Sequence, residues 1–121
     1  MIERLIADIK AATNLDVYAE KTTYKKNTIV YSLTKRYDSG AVATYQLTIK
    51  ILTDSISKAY ETQNIIDNLL ITKGDEQKYD EITECVQNGG GTVWDDELHM
   101  YQHIAYYEYT TKSNITFKQG E

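Results

Sequence analysis

Residues 42–70 constrain this chain most, because a strand pattern there joins a helix pattern with almost no linker. Apolar and polar residues alternate along residues 42–52, which is the period-two pattern of a strand with one buried and one solvent-facing side. The apolar positions are Tyr45, Leu47, Ile49 and Ile51. We therefore expect a half-buried strand that leads directly into a helix.

The helix is predicted to begin after residues 53–55, whose short oxygen-bearing side chains can accept hydrogen bonds from the free N–H groups of a first turn. Residues at helical spacing follow this start. They are Ile56, Ala59, Tyr60, Gln63, Ile66, Leu69 and Leu70. This stripe predicts that the helix packs against the preceding strand.

Further elements are predicted on both sides of this unit. Apolar residues at i, i+3, i+4 and i+7 near the amino terminus indicate an amphipathic helix. They are Ile2, Leu5, Ile6 and Ile9. Strand patterns are found at residues 15–20, 28–37, 79–86 and 98–109, and residues 72–76 resemble a helix stop. These patterns predict a single domain over residues 1–121, with a loose tail at 112–121.

The strand at residues 28–37 is expected to pair antiparallel with residues 42–53 through a turn at Asp38, Ser39 and Gly40. Ten residues at about 3.3 Å each reach roughly 33 Å, so the tip of this hairpin is predicted to project. A projecting tip is compatible with a flexible loop or with an arm that reaches a neighbouring subunit. Both interpretations stay open.

Asn88 and the three glycines that follow it predict a turn between strands. Glycine-rich loops also bind phosphates, but such a loop requires a following helix and usually a Lys-Ser/Thr pair. Residues 92–94 continue as strand or loop, so a phosphate site is not favoured.

Charge and cysteine content limit the partners and the compartment. A net charge of -5 and a single cysteine, Cys85, argue against nucleic acid binding and exclude an intramolecular disulfide. No signal core or long apolar run is present, so we expect a cytoplasmic protein without a membrane partner. The eleven tyrosines indicate either an exposed sheet face or a surface that contacts a partner.

One cluster could carry chemistry: His99 and His103 with the nearby carboxylates of Asp95, Asp96 and Glu97. On a strand, two histidines four residues apart are separated by about 13 Å, too far to share a metal ion. Adjacent acidic residues before a strand are usually turn residues. We therefore predict no catalytic, metal or cofactor site, and a small metal-dependent enzyme or ligand-binding domain stays as an alternative.

Two short sequence segments within this order of elements resemble those of a known family. Thr-Ile-Lys-Ile-Leu-Thr-Asp at 48–54 ends a strand before a helix, and Trp-Asp-Asp-Glu-Leu-His-Met-Tyr at 94–101 enters the last strand. In this pattern the chain resembles the tail terminator, or tail completion, proteins of long-tailed bacteriophages and prophages. The resemblance covers nearly the whole chain in the order of its elements.

The resemblance implies an α+β fold, in which an amino-terminal helix and a second helix pack on one face of a mostly antiparallel sheet. It also implies a ring of six subunits that caps the tail tube, stops its growth and offers the surface to which the head is joined. It implies the tail tube protein and head-tail connector proteins as partners, and the host bacterial cytoplasm and the virion tail as locations. A neck or connector protein is the alternative. The hairpin tip 35–40 and the loop 89–96 are the candidate contact surfaces, represented by Lys35, Arg36, Tyr37, Asp38, Trp94, Asp95 and Asp96.

Overall fold

Two helices and five strands make up the part of the chain that the structure, a computed structural model, describes: residues 2–20, 24–71 and 82–112. The elements are α1 (Ile2–Thr13), β1 (Asp16–Ala19), β2 (Thr28–Asp38), β3 (Val42–Thr53), α2 (Ile56–Leu70), β4 (Ile82–Asp95) and β5 (Met100–Lys112). The predicted α+β class with an amino-terminal helix is confirmed. The predicted helix stop at 72–76, the first residues of the strand at 79–86 and nearly all of the tail at 112–121 lie outside the described residues.

The strands form one sheet in the order β1-β2-β3-β5-β4. Neighbouring strands are antiparallel except for β1 and β2, which are parallel and pair only from Thr28 to Tyr31. The α2 helix connects β3 to β4, and β5 lies between these two strands. The predicted antiparallel pairing of β2 with β3 is confirmed.

Most of the hydrophobic core lies between one face of the sheet and the two helices. The alternation predicted for β3 is confirmed, because Leu47, Ile49 and Ile51 are fully buried on this face. Residues from both helices and the other strands complete the cluster. They include Leu5, Ile9, Ile29, Ile66, Leu70, Cys85, Ala105, Tyr107 and Tyr109. A small second cluster of Val30, Leu52 and Met100 lies on the opposite face.

The predicted start of α2 is confirmed, since the Ser55 side chain accepts a hydrogen bond from the Lys58 N–H at 3.2 Å. The predicted stripe is only partly correct. Ile56 and Tyr60 are 45% and 51% exposed, whereas Thr62 is buried. Thr62 tolerates burial because its hydroxyl donates to the Lys58 carbonyl at 2.8 Å, which satisfies its polar group within the helix.

The hairpin of β2 and β3 does not project from the sheet. β5 pairs with β3 along its whole length, from Thr53 to Val42, so the hairpin tip has a neighbouring strand beside it. The prediction of a projecting tip is wrong because it counted only the two strands of the hairpin. β5 is also displaced from its predicted bounds, since residues 96–99 form a turn before it.

The predicted turn at residues 88–91 is also wrong, because β4 runs through the glycines as one strand. Gln87 pairs with Tyr107 and Gly90 with Ala105, so β4 has one extra residue between these two pairs. Gly89 and Gly90 absorb that residue as a β-bulge at φ values of 98° and 141°. Glycine runs permit both turns and bulges, and the pairing with β5 decides between them.

Candidate functional site

The sequence-predicted contact residues fall into two groups at opposite edges and opposite ends of the sheet. Lys35, Arg36, Tyr37 and Asp38 end β2, next to the start of β3. Trp94 and Asp95 end β4 at the far side of the sheet, and Asp96 begins the following turn. A single chain therefore does not bring the two groups together.

The β2 group is exposed but locally ordered. Lys35 Nζ lies 3.3 Å from Asp38 Oδ2, and Arg36 Nη1 donates to Gln46 Oε1 at 2.6 Å. Tyr37 is 61% exposed. A register shift between Lys35 and Tyr37 bends the strand at this point. The group thus presents two cations and one aromatic ring on an ordered backbone.

The β4 group combines a structural carboxylate with an exposed aromatic pair. Asp95 accepts hydrogen bonds from the Leu98 N–H at 3.0 Å and from Gln102 Nε2 at 2.9 Å, so its carboxylate orders the turn. Trp94 packs edge to face on Tyr101 with ring centroids 4.8 Å apart, and its Nε1–H donates to Asp96 at 2.8 Å. Trp94 and Asp96 are therefore the members of this group that can contact a partner.

The two histidines of the metal alternative have unrelated environments. His99 lies in the turn before β5 with a φ of 53°, whereas His103 is buried on β5. His103 is hydrogen-bonded to Thr92 at 2.6 Å through Nδ1 and to the Gln63 side-chain oxygen through Nε2. Within the described ranges, no group of three or more His, Cys, Asp or Glu residues is placed to hold a metal ion. His103 instead links α2 to β4 through the sheet.

Burial lowers the pKa of His103, partly offset by the charge of Asp67. The Gln63 oxygen can only accept, so Nε2 carries the proton of the neutral ring and Nδ1 accepts from the Thr92 hydroxyl. Because the folded-state pKa lies below the unfolded value of about 6.5, the unfolded chain binds the proton more readily. The contribution of this group to stability is therefore complete above about pH 6.5 and is lost as the pH falls through the folded-state pKa.

We accordingly expect the free energy of unfolding to decrease from about pH 7.5 to about pH 5. Urea titrations at several pH values measure this slope. His103→Gln should flatten it, since the amide does not titrate. A wild-type slope equal to that of His103→Gln would contradict this assignment.

A polar layer that sequence reasoning missed lies beneath α2. The buried Tyr107 hydroxyl donates to the Asp67 carboxylate, and both burial and this bond raise the pKa of Tyr107. Burial also raises the pKa of Tyr109 to about 12. Gln63 and Asp67, four residues apart on α2, face His103 and Tyr107, four apart on β5. These partners come from segments 40 residues apart, so no local sequence pattern predicts this layer, which is structural in role.

Cys85 is a further buried group of this layer, and burial raises the pKa of its thiol to about 12. Because the thiolate is the reactive form, Cys85 should resist thiol reagents in the folded chain. We expect labelling at pH 8 to proceed only through unfolding, and to become complete within the mixing time in denaturant. Rapid native-state labelling, followed by mass spectrometry, would contradict the burial of this side chain.

A cleft of about 260 Å³ separates α2 from the β4 bulge. Tyr60 and Gln63 form its helix side, Gly89, Gly90 and Gly91 form its strand side, and His103 lies at its base. Both nitrogens of His103 are already engaged. The lining of the cleft combines polar side chains, including Gln63 and Gln87, with the glycine backbone.

These features describe a protein with two ordered sheet edges as its candidate contact surfaces. A solved structure of the virion of a native gene transfer agent particle contains a chain of similar fold. The TM-score is 0.63 at 12% sequence identity, and the similarity covers 93% of this chain and 92% of that chain. At this identity the likeness shows a shared fold.

No protein-family model and no curated protein matches the sequence. None of the helices in the described ranges is long and apolar enough to cross a membrane.

Proposed function

We propose that this chain is a structural assembly protein of a tailed, phage-like particle, and specifically a tail terminator. In this role six copies form a ring on the end of the tail tube, stop tube growth and offer the surface to which the head is joined. Its partners are the tail tube protein and the head-tail connector proteins. The chain acts in the host bacterial cytoplasm during assembly and then in the virion tail, and it performs no catalysis.

The observation that carries the proposal is the likeness in fold, over nearly the full length of both chains, to a chain of a gene transfer agent virion. The polar groups beneath α2 are hydrogen-bonded to one another and therefore support the fold.

The two segments that carry the resemblance to tail terminators support the finer assignment. Residues 48–54 end β3 and residues 94–101 join β4 to β5. Both segments lie at one end of the sheet, because Tyr101 pairs with Thr53 on one side and with Trp94 on the other. This common end is a candidate surface for contact with the tail tube or the head.

The proposal is tested by deleting the gene from a strain that produces the particles and imaging the products by negative-stain electron microscopy. A terminator predicts tails of uncontrolled, increased length that lack attached heads, and complementation with the wild-type gene should restore normal particles. A connector predicts tails of normal length beside filled, unattached heads. Normal particles in the deletion strain would contradict both roles.

A further inference from the structure

Aromatic and apolar side chains gather on the helix side of the sheet, where α2 begins and β4 ends. Trp94 packs on Tyr101, and Tyr60 of α2 packs edge to face on the His103 ring with centroids 4.6 Å apart. Tyr101 and His103 are alternate residues of β5 and therefore share one face. Ile56 lies one turn before Tyr60 on α2 and continues this surface toward the same end of the sheet as Tyr101. We call Ile56, Tyr60, Trp94 and Tyr101 the aromatic patch.

The aromatic patch is largely open to solvent. Ile56, Tyr60 and Trp94 are 45%, 51% and 48% exposed, and Tyr101 is partly exposed. Exposed apolar groups gathered in one place are typical of contact surfaces, and aromatic residues are enriched at such surfaces. The patch therefore has the composition of a site that another molecule covers.

The patch borders an edge of the sheet that can accept another strand. β4 is the last strand, and within the described ranges its outer side has no strand partner. The bulge at Gly89 and Gly90 interrupts this edge, whereas the following residues pair with β5 in unbroken register up to Asp95. A regular edge binds an extended segment through backbone hydrogen bonds. Residues 91–95 thus favour an extended partner segment over a helix.

The two faces of this edge differ in chemistry. Trp94 points to the helix side with the aromatic patch, whereas Val93 and Asp95 point to the opposite face, where they pair with Gln102 and Met100. Successive side chains of an added strand also point to opposite faces. Every second side chain of the partner would therefore contact the aromatic patch, and these side chains should be apolar.

Charge determines the other side chains of the partner segment. Residues 82–111 contain five acidic residues and no Lys or Arg: Glu84, Asp95, Asp96, Glu97 and Glu108. Three of them follow one another where the edge ends. Lys and Arg on the partner complement these carboxylates, whereas the β4 edge of a second copy would bring like charges together. A basic segment of another protein is therefore favoured over a second β4 edge.

We propose that residues 91–95 of β4 and the aromatic patch bind an extended segment of another protein, in which apolar side chains alternate with Lys or Arg. The segment adds to the sheet beside β4. Its apolar side chains cover the aromatic patch, and its cations approach the carboxylates at residues 95–97. This inference goes beyond the proposed function, because it identifies a binding surface and the chemistry of its partner without assuming a tail.

Titration of the purified chain with synthetic peptides tests the proposal. The basic peptide alternates Lys and Val over about seven residues, and the acidic peptide has Glu in place of Lys. Trp94 is the one tryptophan of the sequence, so its fluorescence reports on this site. The basic peptide should shift the emission to shorter wavelength and bind about tenfold or more tightly than the acidic peptide. Equal affinities, or no binding of the basic peptide, would overturn the proposal.

Two N-methylated versions of the basic peptide test strand addition. Alternate backbone N–H groups of a strand point to opposite edges, so methylation at the Lys positions and methylation at the Val positions block different edges. One version should lose binding and the other should retain it, because only one edge of the added strand pairs with β4. Equal affinity of the two versions would contradict pairing with the edge of the sheet.

A matched pair of substitutions locates the site on the chain. Ile56 belongs to the aromatic patch, whereas Val42 lies at the opposite end of the sheet, and they are 45% and 38% exposed. Ile56→Ser should weaken binding of the basic peptide about tenfold, because an apolar contact is lost. Val42→Ser should leave the affinity unchanged, and an equal loss in both variants would count against the patch.

Sedimentation of the chain alone examines the other possible occupant, a second copy. Self-association that Ile56→Ser abolishes, without binding of the basic peptide, would assign the patch to contacts between copies and overturn the proposal. Elongated tails in the deletion strain without peptide binding reject this surface and leave the terminator role standing. Peptide binding by a chain whose deletion leaves particles normal supports the surface and rejects the tail role.

Discussion

Replacing Gly90 with alanine is expected to lower the free energy of unfolding by roughly 2 to 5 kcal/mol. A Cβ atom at this position would lie 2.0 Å from the Ile104 carbonyl oxygen, and Gly90 has a φ of 141°, which other residues rarely adopt. Both the backbone of β5 and the bulge would have to move. Urea unfolding followed by circular dichroism measures the loss.

The two neighbouring glycines are matched controls for this prediction. A Cβ atom at Gly91 meets nothing within 4 Å, so Gly91→Ala should change stability by less than about 1 kcal/mol. Gly89 has a φ of 98° but open space around it, so Gly89→Ala should cost only backbone strain, about 1 to 2 kcal/mol. Equal losses at the three positions would contradict the observed bulge.

Truncation of Tyr107 to alanine is expected to cost roughly 3 to 5 kcal/mol, because the ring is fully buried between α2 and the sheet. Tyr107→Phe retains the ring and removes the hydroxyl that donates to Asp67, so it should cost about 1 to 3 kcal/mol. The difference between the two variants separates the packing of the ring from its hydrogen bond. Chemical denaturation of both variants under one set of conditions measures it.

Tyr106 is the control, since it is the preceding residue on β5 and points to the opposite, partly exposed face. Tyr106→Phe should alter stability by less than about 0.5 kcal/mol. If the Tyr106 and Tyr107 variants lost equal stability, the assignment of the two faces of β5 would be wrong.

Local patterns predicted the elements of this fold well. The alternation in β3 identified Leu47, Ile49 and Ile51 as buried, and Ser55 marked the start of α2. These features depend on residues close in sequence, which periodicity and capping chemistry describe directly.

Features that depend on distant pairing were not predictable in this way. The placement of β5 between β3 and β4 converted an expected glycine turn into a bulge and gave the hairpin a third strand. The parallel pairing of β1 with β2 was likewise not predicted. Such pairings join segments far apart in the chain, for which no local pattern exists.

The relative placement of the candidate contact surfaces was not predictable for the same reason. The expected hairpin tip and loop suggested residues 35–40 and 89–96, and only the strand order shows that these lie at opposite edges of the sheet. The cleft between Tyr60 and the glycines required both α2 and the bulge, and sequence gave no signal for it.

Cryo-electron microscopy of the tail ends of purified particles tests the proposed tail terminator role. We expect one ring of six copies at the end of the tail tube, with each copy fitting this fold. A ring of a different fold at that position, or purified particles that lack this chain, would contradict the account.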